Sequence, residues 1–441
     1  MANPFLSLWE YIPDGEPRVF GDRVYIYGSH DKAGSDSFCD NKLKVWSAPL
    51  NNLNFWQCHG DCFHTKSDRD HPSDVDWSER ELYAPDVVEK DGKYYLFAYV
   101  VDSKGCVAVS DKPEGPFRLL SKYQYPMPDN LEGFDRGIFV DLGVFVDEDG
   151  KVYIYCGYER SYMAEVNPDN MYEILEGSFQ KHIIPVDEPF AFFEACSMRK
   201  IGDIYYMIYS PKRGSCLAYA TSKSPKGPFT YRGIIIDNGE DYPGGNNHGS
   251  ICCINEQWYI FYHRTTNNTV FSRRACVEKI QIYSDGTIPQ VKMTSLGFEV
   301  ALNPYRQTPA DIACIIKGGA FVTERNELDR VVTNIQKGCV IGYRYFDFGY
   351  DNSSETMEFA VKIRGIGCHS RIKIMLDDYE NGTVIGTCEI GMDDQICRAV
   401  VRNVTGNHAL FLLAEDIAKG WGAQMFQGRQ LFEIESFVFT K

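Results

Sequence analysis

The stretch LGVFVDEDGKVYIYCG, residues 142–157, reads as an apolar strand, a tight Asp-Gly turn and an aromatic-rich strand. Four other segments share the pattern: PRVFGDRVYIYGS (17–29), PDVVEKDGKYYLFAY (85–99), CSMRKIGDIYYMIYS (196–210) and GSICCINEQWYIFYH (249–263). Their turns carry GD, DG, GD and NE. Similar hairpins about 50–70 residues apart are the signature of blades arranged around an axis. Each is followed by another apolar strand: LKVWSAPLN, CVAVSDKPEGPF, SYMAEVNP, CLAYATSKSPKGPF and SRRACVEKIQIY, in chain order. The second and fourth of these share a turn, Ser110–Phe117 and Ser222–Phe229, which is independent evidence of repetition. The reading is an all-β chain with a five-bladed β-propeller over residues 1–302.

After residue 303 the texture changes. GCVIGYRYFDFG, ETMEFAVKIRG, RIKIMLDD, GTVIGTCEIG, HALFLLAED and LFEIESFVF alternate without the blade pattern. Short antiparallel strands in about 130 residues suggest a β-sandwich of jelly-roll type over 303–441. With 28 Tyr, 27 Phe and 6 Trp, the chain has the aromatic content that strands favour.

The formal net charge of −16 disfavours nucleic acid and anionic membranes, which need basic surfaces. A neutral ligand such as a sugar is compatible with it. No run of about 18 apolar residues is present, and MANPFLSLWEYIPDGE lacks the basic and apolar regions of a signal peptide. The expectation is a cytoplasmic protein whose 15 cysteines are reduced and serve as small core residues. Cys58, His59, Cys62 and His64 have metal-binding side chains, but no second ligand pair of suitable spacing accompanies them.

Just ahead of, or at the start of, each hairpin stands a titratable residue: Asp14, Asp86, Asp141, Glu194 and His248. Equivalent positions in a propeller converge on the mouth of the central channel. Carboxylates gathered there are costly to desolvate unless they serve chemistry or a cation. Glycosidic cleavage needs one protonated and one ionised carboxyl at the same pH. Asp14 lies in the polar turn Tyr-Ile-Pro-Asp-Gly-Glu-Pro and should stay ionised. Glu194 lies in Phe-Ala-Phe-Phe-Glu-Ala-Cys, where apolar surroundings should raise its pKa. Asp141 should lie between them around the ring.

The segment Tyr11–Asp31 resembles the first blade of glycoside hydrolase family 43. So do Tyr83-Ala-Pro-Asp86, Val140–Gly150 and Glu194–Lys200 in their own blades, in order over about 300 residues. The resemblance implies an inverting exo-glycosidase acting on arabinose- or xylose-containing chains, with Asp14 as general base, Asp141 as pKa modulator and Glu194 as general acid. Asp14 stands in Asp-Gly-Glu-Pro where the family has Asp-Pro, so Glu16 is the competing base. By the same resemblance Arg274 reaches substrate hydroxyls, and His248 contacts a calcium ion or its waters. His30, Asp31, Asp86, Trp77 and Phe193 are expected to bind substrate or wall the pocket. The chemistry itself needs no cofactor, and an oligosaccharide is the expected partner.

The C-terminal region resembles a family 6 carbohydrate-binding module. It lacks the tryptophan expected in the loop Met392–Cys397 and the asparagine expected in Gln427–Leu431, so packing is its expected role, with Trp421 as a substitute sugar platform. Other readings are a β-galactofuranosidase of the same family and a non-catalytic sugar-binding propeller. A binding propeller repeats its ligand residues in every blade, whereas here the ring reads Asp, Asp, Asp, Glu, His. A retaining fructosidase-type propeller would need an Asn-Asp-Pro-Asn-like turn and an Arg-Asp-Pro triplet, and neither is present.

Overall fold

The structure, a computed structural model, describes residues 1–101, 105–124, 137–425 and 427–441. Among these residues the five hairpins read from the sequence each form a separate antiparallel sheet. Blade one runs through β1 (Glu16–Phe20), β2 (Arg23–Gly28), β3 (Lys42–Pro49) and β4 (Gln57–His64). Blade two holds β5 (Leu82–Lys90), β6 (Lys93–Val100), β7 (Cys106–Ser110) and β8 (Arg118–Lys122). Blade three holds β9 (Gly143–Val146), β10 (Val152–Cys156), β11 (Tyr162–Val166) and β12 (Gln180–Lys181). Blade four holds β13 (Phe192–Ile201), β14 (Ile204–Pro211), β15 (Cys216–Ser222) and β16 (Thr230–Asp237). Blade five has three strands, β17 (Ile251–Ile254), β18 (Gln257–Thr265) and β19 (Arg273–Ile280).

Where a fourth strand of blade five would lie, the N-terminal segment runs instead. The Phe5 amide donates to the Ala275 carbonyl (3.1 Å). The Asn3 side chain accepts from the Val277 amide (2.9 Å) and donates to the Val277 carbonyl (2.8 Å). Residues near the start of the chain therefore complete the last blade.

The cores lie between blades because each strand's alternate residues face a neighbouring sheet. Tyr153, Tyr155 and Met163 of blade three pack with Phe192, Met207 and Tyr209 of blade four. The repeated turns are equivalent in atomic detail. Tyr27 of blade one donates its hydroxyl to the Pro113 carbonyl, and Tyr155 of blade three does the same to Pro225.

The first strands of the blades are tied by charge. Arg18 grips Asp86 with Nε and Nη2 (2.9 and 2.5 Å), and Nη2 also donates to the Val144 carbonyl. Asp86 accepts the Val144 amide as well (2.9 Å), so it links blades one, two and three. Arg199 pairs with Glu16 across blades four and one (2.7 Å).

Residues 308–440 form a sandwich of two antiparallel sheets. One pairs β22 (Phe321–Asn326), β23 (Asp329–Ile335), β30 (Phe432–Thr440), β25 (Thr356–Gly365) and β28 (Gln395–Arg402), with β20 (Thr308–Pro309) on β30. The other pairs β21 (Ile315–Lys317), β24 (Val340–Asp347), β29 (Asn407–Asp416), β26 (Ser370–Leu376) and β27 (Thr383–Ile390). Tyr343, Phe346, Phe359 and Phe437 fill its interior. The hairpin β22–β23 and the strand β28 were not read from the sequence. Exposed polar residues such as Arg325 and Asn326, and Gln395, Arg398 and Arg402, mask their alternation.

The sandwich is joined to the propeller by buried polar contacts. Asp311 pairs with Arg274 (2.9 Å). The Tyr11 hydroxyl donates to Glu324 and accepts from Arg330 (2.9 Å), whose Nε donates to the Leu8 carbonyl (2.9 Å). Arg344 pairs with Asp241 (2.9 Å).

Candidate active site

A cavity of about 630 Å³ is lined by Asp14, Asp141, Glu194, His248 and Arg273 among aromatic walls that include Phe38, Tyr83, Tyr99, Tyr158 and Phe193. That volume suits a small ligand, and an aromatic wall with a few convergent polar groups is the usual make-up of such a site. Phe193 meets Tyr158 edge to face at 5.0 Å between ring centres.

Local backbone places the acids. Asp14 and Asp141 have φ of 57° and 51°, and Ala195, next to Glu194, has 66°. Such left-handed conformations cost a non-glycine residue free energy and collect at functional sites. Glu194 also sits between two register shifts where β13 pairs with β14. Bulges of this kind re-aim a side chain off the pleat. Gly15 and Gly249 form a parallel bridge, which sets the preceding residues Asp14 and His248 next to each other. Only glycine fits at 249, since a Cβ there would come within 1.8 Å of the Phe261 carbonyl oxygen.

Asp14 is held from three sides. Arg273 Nη1 donates to its Oδ1 (2.9 Å), and Nδ1 of His248 and of His263 lie 3.8 and 3.6 Å from the same oxygen. Its backbone amide donates to His263 Nδ1 (3.4 Å). Burial, then Arg273, drives the His263 imidazole down to about 3, so the ring is neutral and its Nε2–H is free to donate to the Asn246 carbonyl (3.0 Å). Burial pushes the Asp14 carboxyl up, but the Arg273 charge, with His248 beside it, outweighs burial and holds the pKa below the ordinary value.

The other two acids go the opposite way. Burial, reinforced by the Asp14 charge, raises Glu194 to about 7. Burial raises Asp141 to about 7, with His248 opposing and Glu194 and Asp14 adding. His248 Nδ1 lies 3.6 Å from Asp141 Oδ2 and so stands between Asp141 and Asp14. One ionised and two protonatable carboxyls in one cavity is the division of labour that acid–base hydrolysis requires.

The structure thus brings together Asp14, Asp141, Glu194, His248 and Phe193, and it places five other expected residues elsewhere. Arg274 points to the opposite side of β19 from the cavity, and Arg273 occupies the cavity instead. Asp31 lies behind the wall and grips Arg273 with both oxygens (2.9 and 2.8 Å). His30 is paired with Glu10 and Asp40 (3.1 and 3.4 Å) rather than facing the cavity. Asp86 is fully buried in the clamp with Arg18. Trp77 packs against the core between blades one and two, with the Lys122 ammonium over its ring at 4.0 Å. Glu16, the competing base, is engaged by Arg199 away from the cavity.

Arg273, His263, Asn246 and the tyrosine walls were missed by sequence reasoning. In β19 every residue but Lys279 is buried, so polarity does not reveal which alternate set faces the channel. Among the 15 cysteines, Cys39 lines the cavity and receives Arg273 Nη2 on its sulfur (3.4 Å). All 15 are free thiols, 13 of them buried.

Comparison with known proteins accords with this geometry. The family model for glycosyl hydrolases family 43 matches residues 2–288. A protein named xylosidase/arabinosidase from Thermoclostridium stercorarium is 37% identical over 87% of this chain and 89% of its own length. A β-xylosidase/α-arabinofuranosidase of the same family from a compost metagenome, solved with xylotriose in a calcium-free form, aligns at 28% identity and a TM-score of 0.55. It covers 66% of this chain and 98% of its own. An arabinoxylan arabinofuranohydrolase structure from Bacillus subtilis spans 100% of this chain and 97% of its own at 23% identity and a TM-score of 0.56, which attests the two-part fold. With a family match over most of the propeller and an acid–base cavity at its mouth, the chain belongs to glycoside hydrolase family 43 and is a glycosidase that hydrolyses O-glycosyl bonds.

Proposed function

We propose that the protein is an inverting exo-glycosidase that releases xylose or arabinofuranose from short plant-type oligosaccharides. The observation that carries this reading is the opposed tuning of Asp14 and Glu194 within one cavity. Asp14, ionised, takes a proton from a water molecule as that water attacks the anomeric carbon. Glu194, protonated, delivers its proton to the leaving oxygen as the glycosidic bond breaks. The net change is addition of one water. Asp14 ends protonated and Glu194 ionised, and exchange with solvent resets both.

Asp141 contributes charge rather than a covalent bond. When ionised it opposes ionisation of Glu194, and His248 holds it beside Asp14. Arg273 keeps Asp14 ionised, and Asp31 keeps Arg273 in place. The aromatic walls offer faces for sugar stacking, and the cavity's size favours one sugar and the start of the next over a long chain in register.

The family resemblance implies a calcium near His248. Calcium takes six to eight oxygen ligands. His248 offers a nitrogen, and the facing carboxylates are those the hydrolysis uses, so this donor set fits the ion poorly.

The deciding experiment is a screen of aryl β-D-xylopyranoside, α-L-arabinofuranoside and β-D-galactofuranoside. Turnover of either of the first two is expected. Turnover of the galactofuranoside alone, or of none, would overturn the assignment.

A further inference from the structure

The group Cys58, His59, Cys62 and His64 does not assemble as one site. Cys62 is buried in the core between blades one and two, and His59 faces Ser47. His64 instead joins a different set. Asp61, His64, Asp68 and His71 bring one ligand atom each to within 4.8 Å of one another.

Two features show how this set is built. First, β4 carries a register shift against β3: Leu43 pairs with Phe63, but Lys44 pairs with Asp61. In a regular strand residues 61 and 64 would face opposite sides. The bulge at Cys62 turns Asp61 and His64 to the same side. Second, the chain leaving β4 returns over that side with Asp68 and His71. His71 stacks on His64 at 4.7 Å between ring centres, nearly parallel at 14°.

Two of the separations already match those of a small cation's shell, and none in the set exceeds 4.8 Å. Ligand atoms around a tetrahedral zinc ion with bonds of about 2.1 Å stand roughly 3.4 Å apart. His64 Nε2 to Asp61 Oδ2 is 3.4 Å, and His71 Nδ1 to Asp68 Oδ1 is 3.5 Å. The other nitrogen of His64 faces a further carboxylate, with Nδ1 3.6 Å from Asp74 Oδ2. The same Asp74 oxygen accepts the His64 amide at 2.8 Å, which fixes it in place. A carboxylate that orients a histidine through its second ring nitrogen is the usual outer support of a metal ligand. Lys42 pairs with Asp61 at 3.0 Å from the edge of the cluster.

The geometry points to a structural divalent-metal site, of zinc type, formed by Asp61, His64, Asp68 and His71 and oriented by Asp74. Two imidazoles and two carboxylates suit zinc or cobalt better than calcium or magnesium, which favour all-oxygen shells. The ion would pin the segment after β4. That segment starts at Thr65, whose hydroxyl donates to the Arg80 carbonyl just before blade two. The site is separate from the cavity residues and is not needed for hydrolysis.

The test uses the full chain, stripped with EDTA and returned to metal-free buffer. Titration with zinc chloride in a calorimeter should show one saturable equivalent. Cobalt(II) should give the intense visible bands of a four-coordinate complex. The double variant Asp68→Asn/His71→Asn changes two exposed side chains and should keep the circular dichroism and aryl-glycosidase activity of the parent while losing that equivalent. Asp74→Asn should bind about 10–100-fold more weakly. His408→Asn, which alters another histidine–aspartate pair, should bind as the parent does. No saturable zinc in the parent, or equal binding in the double variant, would overturn the assignment.

Discussion

Arg273 and Arg274 are adjacent on β19, yet their guanidinium groups serve opposite sides of the strand: Arg273 holds Asp14, the proposed base, and Arg274 holds Asp311 of the sandwich. One strand therefore carries both the electrostatic support of a cavity carboxylate and the anchor of the second domain.

The two arginines should separate cleanly on substitution. Arg273→Met removes the charge that keeps Asp14 ionised, and the base step is worth roughly 10²–10⁴ in rate. A fall in kcat of about a hundredfold or more is expected, with the acid limb of the pH–rate profile moved up. Arg274→Met leaves Asp311 buried without its cation, which costs about 3–5 kcal/mol of stability, while the chemistry persists at temperatures where the protein stays folded. Steady-state kinetics and thermal denaturation of both variants check this, and the reverse pattern would reassign the two residues.

Glu194→Gln should lose activity on substrates with poor leaving groups and retain most of it on aryl glycosides whose phenol is acidic. Such phenols depart without protonation, so the loss of roughly 10²–10⁴ applies to the first class only. Equal losses on both classes would remove Glu194 from the acid role. In the parent, the alkaline limb of kcat/KM should fall near pH 7, where Glu194 ionises.

Asp14→Asn should be inactive on every substrate, whereas Glu16→Gln should keep measurable turnover, since Glu16 is engaged with Arg199. The first-formed sugar anomer, followed by NMR, should be inverted. A crystal structure should place the Asp14 and Glu194 carboxyls about 6.5–9.5 Å apart. A separation near 5 Å together with a retained anomer would contradict the scheme.

Stability should depend on pH through the same acid. The folded-state pKa of Glu194 is raised from 4.5 to about 7. The proton is bound more tightly in the folded protein, so the associated stability is fully present below pH ~4.5 and lost as pH rises through about 7. Glu194→Gln, which never ionises, should therefore melt at a higher temperature than the parent at pH 8 and close to it at pH 4.5. The difference at pH 8 is on the order of 1–3 kcal/mol. Thermal melts at the two pH values check the sign.

How much of this was legible in the sequence follows from what each signal depends on. The hairpins were legible because turn chemistry and strand alternation are local, and the repeat multiplied them. Asp141 and Glu194 were legible because each stands at the entry to a hairpin. The confusion of Arg273 with Arg274 has a physical origin in a strand buried on both faces, where a one-residue change of register leaves no mark in composition. Asp86 and Asp31 were read as substrate contacts because their pairing with Arg18 and Arg273 is made across 68 and 242 residues of chain. The bulge at Cys62, which decides where His64 points, is a pairing event between strands and has no signature in β4 alone.

The lodging of Asn3 and Phe5 on β19 makes the ring an order-of-synthesis problem. Asn3 meets its backbone partner in Val277 only after 274 further residues have been made. Until then the flank of blade one, with Val24, Ile26 and Trp46, lacks the blade-five residues Tyr259, Phe261 and Val277 that cover it. Chains that stall before the fifth blade should thus be the aggregation-prone species. A bulky fusion placed directly before Asn3 would burden the closing of the ring.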